Sequence, residues 1–112
     1  MRTSAGEQAA RALLNDIRRQ LRDEDRVDAL ALLEGGRATL TSAEAAQALG
    51  EIAFNAVLNS SDVEALEHAR SAIALAGSAA TDALWAGGLA AWRSGDYVQA
   101  EEWFAALSES PY

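Results

Sequence analysis

Between Thr81 and Pro111 the chain reads TDALWAGGLAAWRSGDYVQAEEWFAALSESP, two short amphipathic runs divided by Ser94-Gly95-Asp96. Gly95 suits the left-handed conformation that closes a helix. Asp96 can cap the amides that open the next one, with Gln99 three residues on completing a capping box. A chain punctuated in this way has to turn back on itself as a helical hairpin. Small residues at Gly88 and Ala100 let the two helices approach closely, and the aromatic residues fill the space beside them.

The same punctuation recurs upstream. A first helix is predicted from Ser4 or Glu7 to about Arg22, with Ala9, Ala10, Leu13, Leu14, Ile17 and Leu21 at helical spacing. Asp23-Glu24-Asp25 supplies caps for a shorter helix, Val27 to Glu34, with Val27, Leu30, Leu32 and Leu33 as its apolar set and Gly35-Gly36 as its stop. These two segments could equally be one bent helix. After a connection over residues 37–41, Thr41-x-x-Glu44 forms a capping box for a helix from Ser42 to Leu58, buried through Ala45, Ala46, Leu49, Ile52, Ala53, Ala56 and Val57. Asn59-Ser60-Ser61 breaks it. Ser61-x-x-Glu64 is a further capping box, opening a helix from Asp62 to Ala76 that faces inward through Val63, Leu66, Ala69, Ile73 and Leu75, with Gly77-Ser78 as its stop. No segment alternates as a strand does.

The expected fold is therefore all-α: five or six helices in antiparallel hairpins, stacked as a short superhelical array in one domain over residues 1–112. Residues 1–36 form N-terminal helices, 42–76 a weak repeat, and 81–111 the best-formed hairpin. Setting Ala45, Leu49, Gly50 and Phe54 over Ala83, Gly87, Gly88 and Trp92 superposes small and aromatic positions, an internal repeat of imperfect period.

Composition narrows the functional classes. The net charge of -8 argues against nucleic acid, whose phosphates demand a basic surface. Six arginines against five acids in residues 1–26 leave that segment at +1, and the remainder carries -9. There is no cysteine, which removes thiolate catalysis, thiolate metal sites and disulfides. No apolar run is long enough to span a bilayer, and the N-terminus lacks the apolar core of a signal peptide. Aromatics make up only 6%, so the core must be built largely from Ala and Leu.

Leu84, Gly88, Ala91, Ala100 and Phe104, with Gly95-Asp96-Tyr97 in the turn, resemble a tetratricopeptide repeat. Leu84 stands for that repeat's usual Trp, Gly87 for Leu and Ala91 for Tyr, and Pro111 comes one residue early. The resemblance is weaker over 44–76 and slight over 1–36. The run from Leu84 to Tyr97, with Phe104 and Ser110-Pro111-Tyr112, is also similar to helical repeats of the soluble lytic murein transglycosylases. In that family an α-superhelix precedes a lysozyme-like domain that cleaves peptidoglycan in the periplasm. This second resemblance implies a periplasmic, non-catalytic fragment of a cell-wall enzyme, able to contact peptidoglycan. Without it a cytoplasmic adaptor for a peptide or protein is expected. Nothing in the chain matches the family's catalytic domain.

Candidate sites follow. His68, flanked by Glu64 and Glu67, is expected at the surface, exposed or half-buried; Glu64-x3-His68 is a weak metal pair. Glu101-Glu102 and Asp23-Glu24-Asp25 read as solvated or capping carboxylates, and Gly35-Gly36 and Gly87-Gly88 lack the lysine and strand of a phosphate loop. No catalytic, cofactor or metal site is expected. The partner-binding candidates are Trp85, Leu89, Trp92 and Arg93, which the tetratricopeptide resemblance places on a groove-facing helix, and Trp and Arg dominate interface hot spots. Against this, an Ala-rich core needs large side chains somewhere, so Trp85 and Trp92 could fill it instead, as Trp103, Tyr97 and Phe104 are expected to do. Exposed apolar residues on the last helix, Trp103, Phe104, Ala106 and Leu107, would favour a homo-oligomer through the C-terminal hairpin or further repeats of the same chain.

Overall fold

The structure is a computed structural model and describes residues 2–110. Among these it contains six α-helices: α1 (Ser4–Arg22), α2 (Arg26–Gly35), α3 (Ser42–Leu58), α4 (Asp62–Ala76), α5 (Thr81–Arg93) and α6 (Tyr97–Glu109), with 3₁₀ turns at Arg37–Thr39 and Gly77–Ala79. The fold is all-α, and no strand occurs among the described residues. Pro111 of the tetratricopeptide-like spacing lies outside them, as does Tyr112 of the transglycosylase-like run. No helix is long and apolar enough to cross a membrane among the described residues.

The helices pair as α1–α2, α3–α4 and α5–α6. The middle pair sits between the others: α5 packs against both α3 and α4, whereas α1 and α2 reach the rest chiefly through α3. Extents of 44 × 29 × 17 Å describe a slab about two helices thick.

Each pair is joined by the same three-residue turn. Asp25, Ser61 and Asp96 each donate a backbone N–H to the carbonyl five residues back, on Gln20, Ala56 and Ala91, at 2.8, 2.8 and 2.9 Å. The residue before each of them is left-handed: Glu24 at φ 60°, Ser60 at 62° and Gly95 at 85°. This is the helix-closing arrangement expected of Gly95, formed twice more without glycine. The turns stand 36 and 35 residues apart, which sets the true register of the repeat. Ile17, Ala53 and Gly88 are equivalent, as are Ala29, Ala65 and Ala100, and all six are buried. The superposition of Phe54 on Trp92 is thus displaced by one helical turn. Phe54 corresponds to Leu89, and Trp92 to Val57.

The first pair is two helices, not one bent rod, because Asp25 accepts from the Asp28 amide at 2.9 Å and starts α2 anew. Gly36 donates its N–H to Leu32 O at 3.0 Å to close α2, with an ordinary φ of -105°. Its lack of a side chain answers packing instead, since a Cβ there would lie 2.3 Å from Leu13 Cδ2.

The capping boxes fare unequally. Thr41 and Glu44 form a complete one. Arg2 donates to the same Glu44 carboxylate, its Nη2 lying 2.9 Å from Oε2, and together with the Thr41 amide holds that carboxyl down at about 2. At Asp96 half a box forms: the carboxylate accepts from the Gln99 amide at 3.1 Å, but the Gln99 side chain turns to Glu102. At Ser61 none forms. Its hydroxyl accepts from Arg26 Nη2 at 3.0 Å, and Glu64 accepts from the same guanidinium at 3.2 and 3.3 Å. A long-range arginine outcompetes the local cap.

The core is alanine-rich, as composition requires, with Ile17, Ile52, Val57 and Leu84 the largest side chains almost fully enclosed. Two expected faces are displaced. Val63 and Leu75 are exposed, and α4 turns Ala65, His68, Ala69 and Ala72 inward. Val63 lies in the first turn of its helix, where a side chain leans past the end of the hairpin toward solvent. Val27 and Val98, at the equivalent sites of α2 and α6, are exposed for the same reason. Ala9 of α1 is also exposed.

The left-handed Ser60 carries a measurable consequence. A Cβ in this conformation costs about 1–2 kcal/mol, offset in part by the entropy glycine loses on folding. Ser60→Gly should raise stability by about 0.5–1 kcal/mol in chemical denaturation. A loss of stability would show that the turn is not strained.

Candidate functional site

The helices α1, α3 and α5 lie side by side, and their outward residues make one continuous face. On α5 the stripe runs through Asp82, Trp85, Leu89 and Trp92, three or four residues apart. On α3 it runs through Glu51, Phe54 and Leu58. Between these stripes and α1 opens a cleft of about 490 Å³, lined by Arg18, Leu21, Arg22, Phe54, Leu58 and Asp82, with Glu51 and Asn55 in its wall.

Phe54 and Trp85 meet with ring centroids 4.9 Å apart and planes tilted by 30°, a favourable aromatic geometry. Phe54 remains 37% exposed, Leu58 62% and Trp92 56%. Polar groups frame this apolar strip. Arg18 Nε donates to Glu51 Oε1 at 2.9 Å, and the second carboxylate oxygen of Glu51 is buried without a hydrogen-bond partner among the described residues. Asn55 spans the floor, donating to Leu21 O at 3.3 Å and accepting from Arg26 Nη1 at 3.0 Å.

The four expected partner-binding residues divide. Trp85 and Leu89 are half-buried against the core between α3, α4 and α5, each with one edge on the face. Trp92 stands out from it and fills no core. Arg93 is engaged elsewhere: it donates to Val57 O at 2.7 Å and to both carboxylate oxygens of Asp62, with Nε 3.2 Å from Oδ2. It ties the third hairpin to the second.

Phe54, Leu58, Arg18 and Arg22 were not among the expected residues. The turn register identifies them, because Arg18, Phe54 and Leu89 are equivalent, as are Arg22, Leu58 and Arg93. His68, expected at the surface, is buried at 6% exposure, with Nε2 4.0 Å from Glu64 Oε1 and Leu30, Leu33 and Leu49 lining the narrow cleft beside it. It lies where α4 faces α3 across that cleft from α2. Glu101 and Glu102 are exposed on α6. Trp103 is buried, stacked beneath the Arg70 guanidinium at 5.9 Å, while Phe104, Ala106 and Leu107 are partly buried. The apolar surface expected on α6 is therefore turned largely toward α5 and the α4 side chains Leu66, Ile73 and Arg70. Tyr97, expected to pack, is 62% exposed at the helix start.

No known family, curated protein or solved structure matches this chain.

Proposed function

We propose that this chain is a non-catalytic helical-repeat scaffold that holds an extended apolar segment of a protein partner along the α1–α3–α5 face. The observation that carries this reading is the row of uncovered large side chains beside the cleft: Leu58 at 62%, Trp92 at 56% and Phe54 at 37% exposure. In a chain with so few aromatics, those facing water are the ones a partner would cover. The tetratricopeptide-like spacing supports the same face, and the similarity to murein transglycosylase repeats would place the domain in the periplasm beside a cell-wall enzyme.

A displayed library of unstructured peptides, selected on the folded chain, should yield ligands with apolar residues at regular spacing. Phe54→Ala and Trp92→Ala should each weaken those ligands by about tenfold or more, with unchanged circular dichroism. Ligands indifferent to both substitutions would refute the proposed face. A second reading is favoured by the tilted Phe54–Trp85 pair beside Glu51 and Asp82, a combination suited to stacking and hydrogen-bonding a sugar. Saturable change in tryptophan fluorescence on adding soluble peptidoglycan fragments would select it over the peptide.

A further inference from the structure

We propose that copies of this chain assemble head to tail, with α1 of one copy seated on the α5–α6 hairpin of another much as α5 is seated on α3–α4 within the chain. The internal join supplies the template. There α5 lies against both helices of the preceding hairpin, Val57 is fully covered, and Arg93 reaches back to Val57 O and Asp62.

The turn register shows what an incoming α1 would present. Arg22 occupies the place of Arg93, and Trp92 the place of Val57. Arg22 is exposed and has no hydrogen-bond or ion-pair partner among the described residues. Trp92 is 56% exposed where Val57 is sealed. An α1 docked in register would bring the Arg22 guanidinium to the Trp92 carbonyl and lay its aliphatic stem beside the indole.

Charge points to a second copy as the occupant. The α6 side of the seat carries Glu101, Glu102 and Glu109 with no basic residue from 94 to 110, whereas α1 carries four arginines against two acids. One pair is specific. Leu66 and Ala90 belong to one core cluster at the internal join. Their equivalents across the proposed join are Glu101 and Arg19, both exposed and opposite in charge, Arg19 exchanging its exposed 2.8 Å bond to Asp16 for Glu101. Ala12 takes the place of the fully buried Ala83, but Trp85 stands where Gly50 receives it. Asn15 and Asp16, in place of Ala86 and Gly87, make this join wider and more polar than the internal one. It is accordingly weak, salt-sensitive and open-ended, because a head-to-tail contact closes no symmetric dimer.

Sedimentation of the full chain should show a weight-average mass that keeps rising with concentration up to about 1 mM without a plateau at two copies, and that falls between about 0.05 and 0.5 M salt. Arg19→Glu with Arg22→Glu reverses the head, and Glu101→Arg with Glu102→Arg reverses the tail. All four sites are exposed, so both variants should keep the wild-type helical spectrum. Each variant alone should be monomeric, and an equimolar mixture should assemble again through the complementary ends. A wild-type chain that stays monomeric, a closed dimer, or a mixture that fails to assemble would each overturn the proposal. Arg22 also lines the α1–α3–α5 cleft, so peptide capture is scored on the Glu101→Arg with Glu102→Arg variant, whose substitutions lie outside that cleft.

Discussion

Leu84→Ala should lower the stability of this protein by about 2–5 kcal/mol, a large share of the roughly 5–15 kcal/mol that holds a domain folded. Leu84 is 1% exposed in the cluster that joins α5 to α6, where its buried neighbours are Ala91, Ala100 and Trp103. Cavities are most costly where the surroundings cannot collapse, and an alanine neighbour is fixed to its backbone with no rotamer to offer. Leu66, Ile73, Phe104 and Leu107 at the edge of the cluster can relax in part, so the cost should fall near the middle of the range. The measurement is chemical denaturation followed by circular dichroism, with a lower midpoint and an unchanged slope. Val63→Ala, on a side chain 82% exposed, should stay within about 0.5 kcal/mol of wild type. A loss below about 1 kcal/mol for Leu84→Ala would mean that the hairpin repacks freely and that its alanines are not a rigid frame.

Local signals in the sequence place most of the helices, while leaving open whether the first two segments are one bent rod. Thr41 with Glu44 caps α3, Gly95 reverses the chain at positive φ, and Asp25 and Asp96 open their helices. What stayed hidden depends on residues distant in sequence. The box at Ser61 fails because Arg26, 35 residues earlier, takes both its hydroxyl and the Glu64 carboxylate. The inward face of α4 departs from its apolar pattern because the rule that large apolar residues lie inside fails where helices are close enough for only alanine to fit. Ala65, Ala69 and Ala72 are therefore enclosed, while Val63 and Leu75 face water. The left-handed Glu24 and Ser60 carry no compositional mark, and they concealed that all three hairpins share one turn. Without that register Phe54 falls opposite Trp92, and the Phe54–Trp85 contact at the centre of the candidate face is not legible. The expectation that Arg93 faces a partner failed for a related reason: the carbonyl and carboxylate that engage it belong to the preceding hairpin.

Gly87→Val should cost about 1–3 kcal/mol, even though glycine in mid-helix is worth about 1 kcal/mol less than alanine on propensity alone. A Cβ at Gly87 would lie 2.9 Å from Ala69 Cβ and 3.0 Å from Trp103 Cζ3. The first of these cannot give way without moving α4, and the second belongs to a buried ring pinned by Arg70. Gly88 is the instructive neighbour. A Cβ there would meet Phe104 Cε1 at 2.7 Å, but that atom belongs to a half-buried side chain rather than to backbone. Gly88→Ala should therefore be milder than its shorter distance implies. Gly35→Ala, with nothing within 4 Å of the added carbon, should show the propensity gain alone and stabilise by up to about 1 kcal/mol. The order Gly87 worst, Gly88 intermediate, Gly35 favourable separates close approach of helices from backbone flexibility as the reason for glycine in this fold, since flexibility alone would predict three similar gains. Because α5 carries Trp85, Leu89 and Trp92 opposite the side it packs against α4, pushing it outward at Gly87 should also weaken any ligand held on the α1–α3–α5 face. Peptide affinity lost in proportion to the stability change across the glycine series would tie that face to the spacing beneath it.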